Sequence, residues 1–241
     1  MSRLRSQVTT EIGLVVRNGE QLLLTLVIPV LLLVFFSLVD VLPTGGVDAV
    51  EFLTPGILAL AVMSTAMVSL GIATGFERSY HVLKRLGATP LGRPRLVAAK
   101  TLAVACVELL QFAVLIGVAA LLGWSPEASG WLAALGAVVL GTLAFAGIGL
   151  TLAGRLRGEI NLAAQNALYL VLLLGGGLVI SADEFPSALR SVARPLPSSA
   201  LADVLRDSLG TPVSHVATSW AVLAAWAVVG PVVAAALFRW D

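Results

Sequence analysis

The chain has 241 residues, 58% of them hydrophobic and 12% charged, with a formal net charge of +1. Soluble domains carry about a quarter charged residues, so this composition cannot clothe a water-exposed surface and describes an integral membrane protein rather than a soluble enzyme or a nucleic-acid-binding module. The one cysteine, Cys106, excludes an internal disulfide and a multi-cysteine metal site.

Residues 1–19 place Leu4, Val8, Ile12 and Val15 or Val16 at helical spacing, with Arg3, Arg5, Glu11 and Arg17 on other faces. That pattern predicts an amphipathic helix lying in the cytoplasmic interface. Six apolar runs follow, over residues 21–39, 53–76, 97–123, 131–153, 160–181 and 213–238. Each is about as long as the ~20 residues that cross hydrocarbon, which predicts an all-α membrane domain of six spans over residues 1–241. Pro29 falls inside the first run and predicts a kink there. With the N-terminus inside, every Lys and Arg except Arg190, Arg194 and Arg206 falls in a cytoplasmic segment or at its edge. The bias of positive residues toward the cytoplasm therefore predicts both termini on the cytoplasmic side of the membrane.

Between the second and third runs lies the most charged stretch of the chain, "FERSYHVLKRLGATPLGRPR". In this cytoplasmic segment, residues 77–96, Glu77, Arg78, Lys84 and Arg85 are set among Tyr80, Val82, Leu83 and Leu86, with Gly87 as a helix stop and Pro90 as a turn residue. Mixed anchors and charges suit docking into a protein groove. A basic loop held by anionic lipid answers to the same composition, and the residues alone leave both readings open.

The third run carries Lys100 and Glu108. Lys100 is expected to snorkel to the headgroups. Glu108, the one acid expected inside the bilayer, is a functional-site candidate as cavity lining or proton acceptor, or is paired locally. In the fourth run Ala137, Gly141, Phe145, Gly149 and Ala153 form a mostly small i+4 stripe, and Gly71 and Gly75 form a small pair in the second; both predict helix packing faces. Near the start of the fifth run Asn161, Gln165 and Asn166 are candidates for hydrogen bonding between helices or for substrate contact. The outer segment, residues 182–212, is long for a connection, and its apolar spacing predicts two short amphipathic helices broken at Pro195 and Pro197 that dip back into the outer leaflet.

The motifs of hydrolases and of phosphate loops, H-E-x-x-H, G-x-S-x-G and G-x-x-x-x-G-K-[ST], do not occur. His81 and His215 fall on opposite sides of the expected topology. No catalytic residue, cofactor site or metal site is expected in this chain, and it has no usual means of binding ATP.

Three stretches carry a resemblance: "VVRNGEQLLLTLVIPVLLLVFF", "GFERSYHVLKRLGATPLGRPRLVAAK" and the run from "GIGLTLAGRLRGEINLAAQNALYL" to "PLPSSALADVLRDSL". In order and spacing the chain resembles the permease subunits of type-2 ATP-binding-cassette transporters. The resemblance implies that the 77–96 segment is a coupling helix docking on a separate ATPase subunit through Glu77, Arg78, Lys84, Arg85 and Leu86, with Arg17 beside them. It implies a second permease subunit, identical or similar, and ATP and Mg bound on the partner. The expected cargo is a hydrophobic or amphiphilic molecule, such as a drug, antibiotic or lipid, moving outward along a pathway between permeases. Glu108, Asn161, Gln165 and Asn166 are its candidate lining. A proton-coupled transporter using Glu108, a polysaccharide exporter and an assembly-factor permease stay open as alternatives.

Overall fold

In a computed structural model, residue 13 and residues 19–39, 46–83 and 93–238 are described. The helix expected over residues 1–19 lies outside that set apart from Gly13. The described residues form helices and turns without a strand. We label the helices α1 (Gly19–Leu38), α2 (Ala49–Ser79), α3 (Arg93–Leu121), α4 (Trp131–Ala153), α5 (Gly158–Gly175), α6 (Ser187–Ala193), α7 (Pro197–Leu209) and α8 (Val216–Leu237). Helices α2, α3, α4 and α8 contain stretches long and apolar enough to cross a membrane. Helix α5 has 18 residues, but its first half holds Glu159, Asn161, Gln165 and Asn166.

Helix α2 is the axis of the bundle. Its residues from Phe52 to Met67 are all buried, and α1, α3, α4, α5 and α7 pack around it. Between Ser64 and Ser69 it widens into a π-helical turn, an insertion that proteins tolerate mainly where it serves a purpose. Here the wide turn presents Thr65, whose hydroxyl donates to Gln111 Oε1 of α3 at 2.7 Å, while Gln111 Nε2 donates to the Thr25 carbonyl of α1 at 3.0 Å. One amide side chain thereby joins three helices.

The two short helices expected on either side of Pro195 and Pro197 are present as α6 and α7. Helix α7 starts with Pro197 at its first position, where the missing N–H is no loss, and stops at Gly210, whose φ of 118° supplies the left-handed cap. Its burial was not foreshadowed: nearly every residue of this amphipathic helix is enclosed by α2, α4 and α8.

The small stripe of α4 faces inward. Gly141 lies against Leu201 of α7, and Gly149 against the Met67 backbone of α2. A second small position, Gly147, seats the backbone of Gly230 and Pro231 of α8, leaving no room for a Cβ. Gly71 and Gly75 of α2 likewise make space for the side chains of Gln165 and Asn161. Since lipid offers no hydrophobic drive between helices, such close approach is what holds them. Gly147→Leu should therefore separate α4 from α8 and lower stability by about 1–3 kcal/mol, the usual range for overpacking. Thermal unfolding in detergent measures this, with Gly117→Leu, where a Cβ meets open space, as the control that should change little.

Candidate functional site

The C-terminal end of α2 gathers the sequence-predicted charges that are described. Glu77 pairs with Lys100 of α3, with Nζ 2.7 Å from each carboxylate oxygen. Lys100 is only 6% exposed. The expected snorkelling is thus replaced by an ion pair, because a carboxylate within reach satisfies the ammonium without extending it to the headgroups. Arg78 turns the other way: Nη1 donates to the Gly154 carbonyl at 3.2 Å and Nη2 to the Leu156 carbonyl at 2.6 Å, both at the turn between α4 and α5. Ser79 Oγ accepts from the Gly158 amide, the first residue of α5, at 3.0 Å. Three successive residues of α2 therefore engage α3, the end of α4 and the start of α5.

Beyond Ser79 the chain turns at Tyr80 and at His81, whose φ of 59° takes the left-handed conformation usual for a helix-ending glycine. A recess of about 580 Å³ opens here, lined by Phe76, Tyr80 and His81 on one side and by Arg157, Glu159 and Ile160 on the other. Lys84, Arg85, Leu86 and Arg17 lie outside the described residues.

The pathway candidates fall in three different environments. Asn161 and Gln165 are fully buried; Asn161 Nδ2 donates to the Gly71 carbonyl of α2, and Gln165 Nε2 to the Gly149 carbonyl of α4, each at 2.9 Å. Asn166 lies on the exposed face of α5, its amide turned back to the Leu162 carbonyl. Glu108 is 3% exposed and meets the Thr142 hydroxyl of α4 at 2.8 Å through Oε2, whereas Oε1 is buried without a hydrogen-bond partner.

A second charged cluster sits at the other end of the bundle, where the sequence had offered only outside charges to count. Arg206 of α7 is buried, donates to the Leu178 carbonyl at 2.8 Å and lies 4.5 Å from the ring centre of Phe52 of α2. Asp203, one turn before it, is 3.7 Å away and receives the Ser219 hydroxyl of α8, with His215 Nε2 at 3.0 Å from the same carboxylate. Burial raises the Asp203 carboxyl above its usual range against the opposing pull of Arg206, His215 and Ser219. Burial also draws the Arg206 guanidinium down to about 10, opposed by Asp203 and Asp183. The i,i+3 spacing of the two charges on one amphipathic helix was the sequence signal for this pair. Ser79 and Gln111 carried no such signal, since their partners are remote in the chain.

A bundle of apolar helices around a buried axis, four of them long and apolar enough to cross a membrane, suits a place within a bilayer. The family model described as "ABC-2 family transporter protein" matches residues 42–237. The chain belongs to the ABC-2 transporter family. Among known relatives it is similar to "Putative transport permease YvfS" of Bacillus subtilis (strain 168), 27% identical over 206 residues and covering 82% of each chain. The match to the family takes in all of α2 to α8, including both charged ends of the permease bundle.

The buried pair gives a test of this second cluster. Arg206→Met should destabilise the permease by about 3–5 kcal/mol, because it strands the buried Asp203. Adding Asp203→Asn should recover part of that loss, as read from thermal unfolding of the single and double variants.

Proposed function

We propose that this chain is the membrane subunit of an ATP-driven exporter, working with separate ATPase subunits and a second permease, which carries a hydrophobic or amphiphilic molecule outward across the bacterial cell membrane. The observation that carries this reading is the course of α2: the most enclosed helix of the bundle runs directly into the basic 77–96 segment. Force delivered at residues 77–79 acts on the helix around which the rest of the bundle packs. The chain contains no phosphate loop of its own, so the energy is assigned to a partner that binds ATP and Mg. That partner biases transport only if its ATP-bound and ATP-free forms engage the permease states differently.

Six spans, with both termini inside, complete this reading: α1 and α5 join the four helices that are long and apolar enough on their own, and α6 and α7 re-enter from the outer side. Asn166 supports a protein neighbour on the outward face of α5, where it lies beside the exposed Ala163 and Ala167. An amide at membrane depth is better placed against another helix than against lipid, and small residues beside it permit close approach. Glu108, with one oxygen unpartnered, is the observation that favours a proton-coupled alternative.

One experiment separates the two. Lys84→Glu with Arg85→Glu should abolish co-purification of an ATPase and ATP-dependent substrate movement in reconstituted vesicles, while the permease itself stays folded. Under the proton-coupled reading this pair leaves transport intact and Glu108→Gln removes it.

A further inference from the structure

The turn from α4 to α5, residues 154–157, brings together two helix ends whose backbone groups need partners. The last carbonyls of a helix and its first amides have none within the helix, and side chains near the ends usually serve them. At this elbow they do not: neither the residue before α5 nor the one after α4 supplies a side-chain cap. Backbone amides of the turn serve the Leu150 and Leu152 carbonyls, and three further groups are satisfied from another helix. Arg78 reaches the Gly154 and Leu156 carbonyls, and Ser79 Oγ takes the Gly158 amide while donating to the Gly75 carbonyl of its own helix. The guanidinium also meets the negative end of the α4 dipole, which favours a cation there. Packing closes the same contact, since a Cβ on Gly158 would lie 2.9 Å from Ser79 Oγ and 3.1 Å from Phe76.

We propose that Arg78 and Ser79 are positioning residues that clamp the α4–α5 elbow to α2, so that a displacement entering at the 77–96 segment is passed to α4 and α5 through hydrogen bonds to backbone. This deepens the ATP-driven reading and rests on it for the source of the displacement. Arg78 accordingly spends its charge inside the permease, and recognition of the ATPase falls to the charges further along the segment. Moving α2 away from the elbow would leave two carbonyls and an amide without partners in a partly enclosed place. That penalty favours α2, α4 and α5 moving as one body. The connection of α4 to α5 is short, so gripping the turn directs both helices.

The clamp is tested in two ways on the full chain. Hydrogen exchange reads the bonds themselves. In Ser79→Ala the Gly158 amide should exchange faster by roughly an order of magnitude or more, the weight of a lost hydrogen bond. Arg78→Ala should loosen the elbow likewise, and Arg78→Lys, which keeps the charge and cannot span both carbonyls, should fall between it and the parent. Unchanged exchange at the elbow in all three variants overturns the clamp.

Spin labels read the transmission. In a Cys106→Ser background, labels at Leu121→Cys and Arg155→Cys, both exposed, report the elbow against the far end of α3. In the complex with its co-purified ATPase, trapping with ATP and vanadate should change this distance in the parent, and the change should be lost in Ser79→Ala and Arg78→Lys. A full change in the variants overturns the load path. No change in the parent overturns the ATP-driven reading and the load path with it, while faster exchange at Gly158 would still show the hydrogen bonds.

Discussion

Helices in lipid gain nothing by hiding apolar surface from one another, so their mutual affinity must come from shape and from hydrogen bonds. The bundle follows from that constraint. Where α4 meets α8, Gly147 lets backbone touch backbone. Where α5 meets α2, glycines at 71 and 75 clear space for Asn161 and Gln165, and the amide of Asn161 then bonds to the carbonyl of Gly71. Small residue and polar residue act as a pair: one opens the gap, the other fills it with a directed bond. Gln111 does the same between α1, α2 and α3, using the widened turn of α2 as its seat.

Helix α2 is fixed differently at its two ends. At the C-terminal end Glu77 and Arg78 diverge to α3 and to the α4–α5 turn. At the N-terminal end the ring of Phe52 lies beneath the guanidinium of Arg206, which belongs to a helix that itself binds α8 through Asp203. Charged groups thus hold the axis where it leaves the apolar interior, and neutral amides and hydroxyls hold its middle. Ion pairs are expensive to strip of water, and their placement toward the ends keeps that cost lower than at the centre.

Much of this architecture was written plainly in the chain. Long apolar runs give helices because a backbone in hydrocarbon must satisfy itself, and Pro197 and Gly210 bracket α7 by the ordinary rules of helix ends. The inward face of the α4 stripe followed from residue size alone. What a one-dimensional reading could not give was the pairing. Lys100 looked like a cation bound for the headgroups until the fold set Glu77 beside it. Gly147 sits off the stripe and became a contact only when α8 crossed there. Arg206 was one outer charge among three, and its burial depends on how α2, α4 and α8 enclose α7. Partners remote along the chain are set by packing, which periodicity does not encode.

The grip of Arg78 and Ser79 falls on peptide groups and spares the side chains of the turn. Tolerance to sequence drift should be lopsided as a result. As far as this grip is concerned, positions 155 to 157 can vary among all residues but proline, because each presents the same carbonyl and amide. Inserting or deleting a residue between them would move those groups out of register with α2. Between Gly154 and Gly158, whose own identities are fixed by close contacts, the length of the chain should be held more tightly than the letters that fill it.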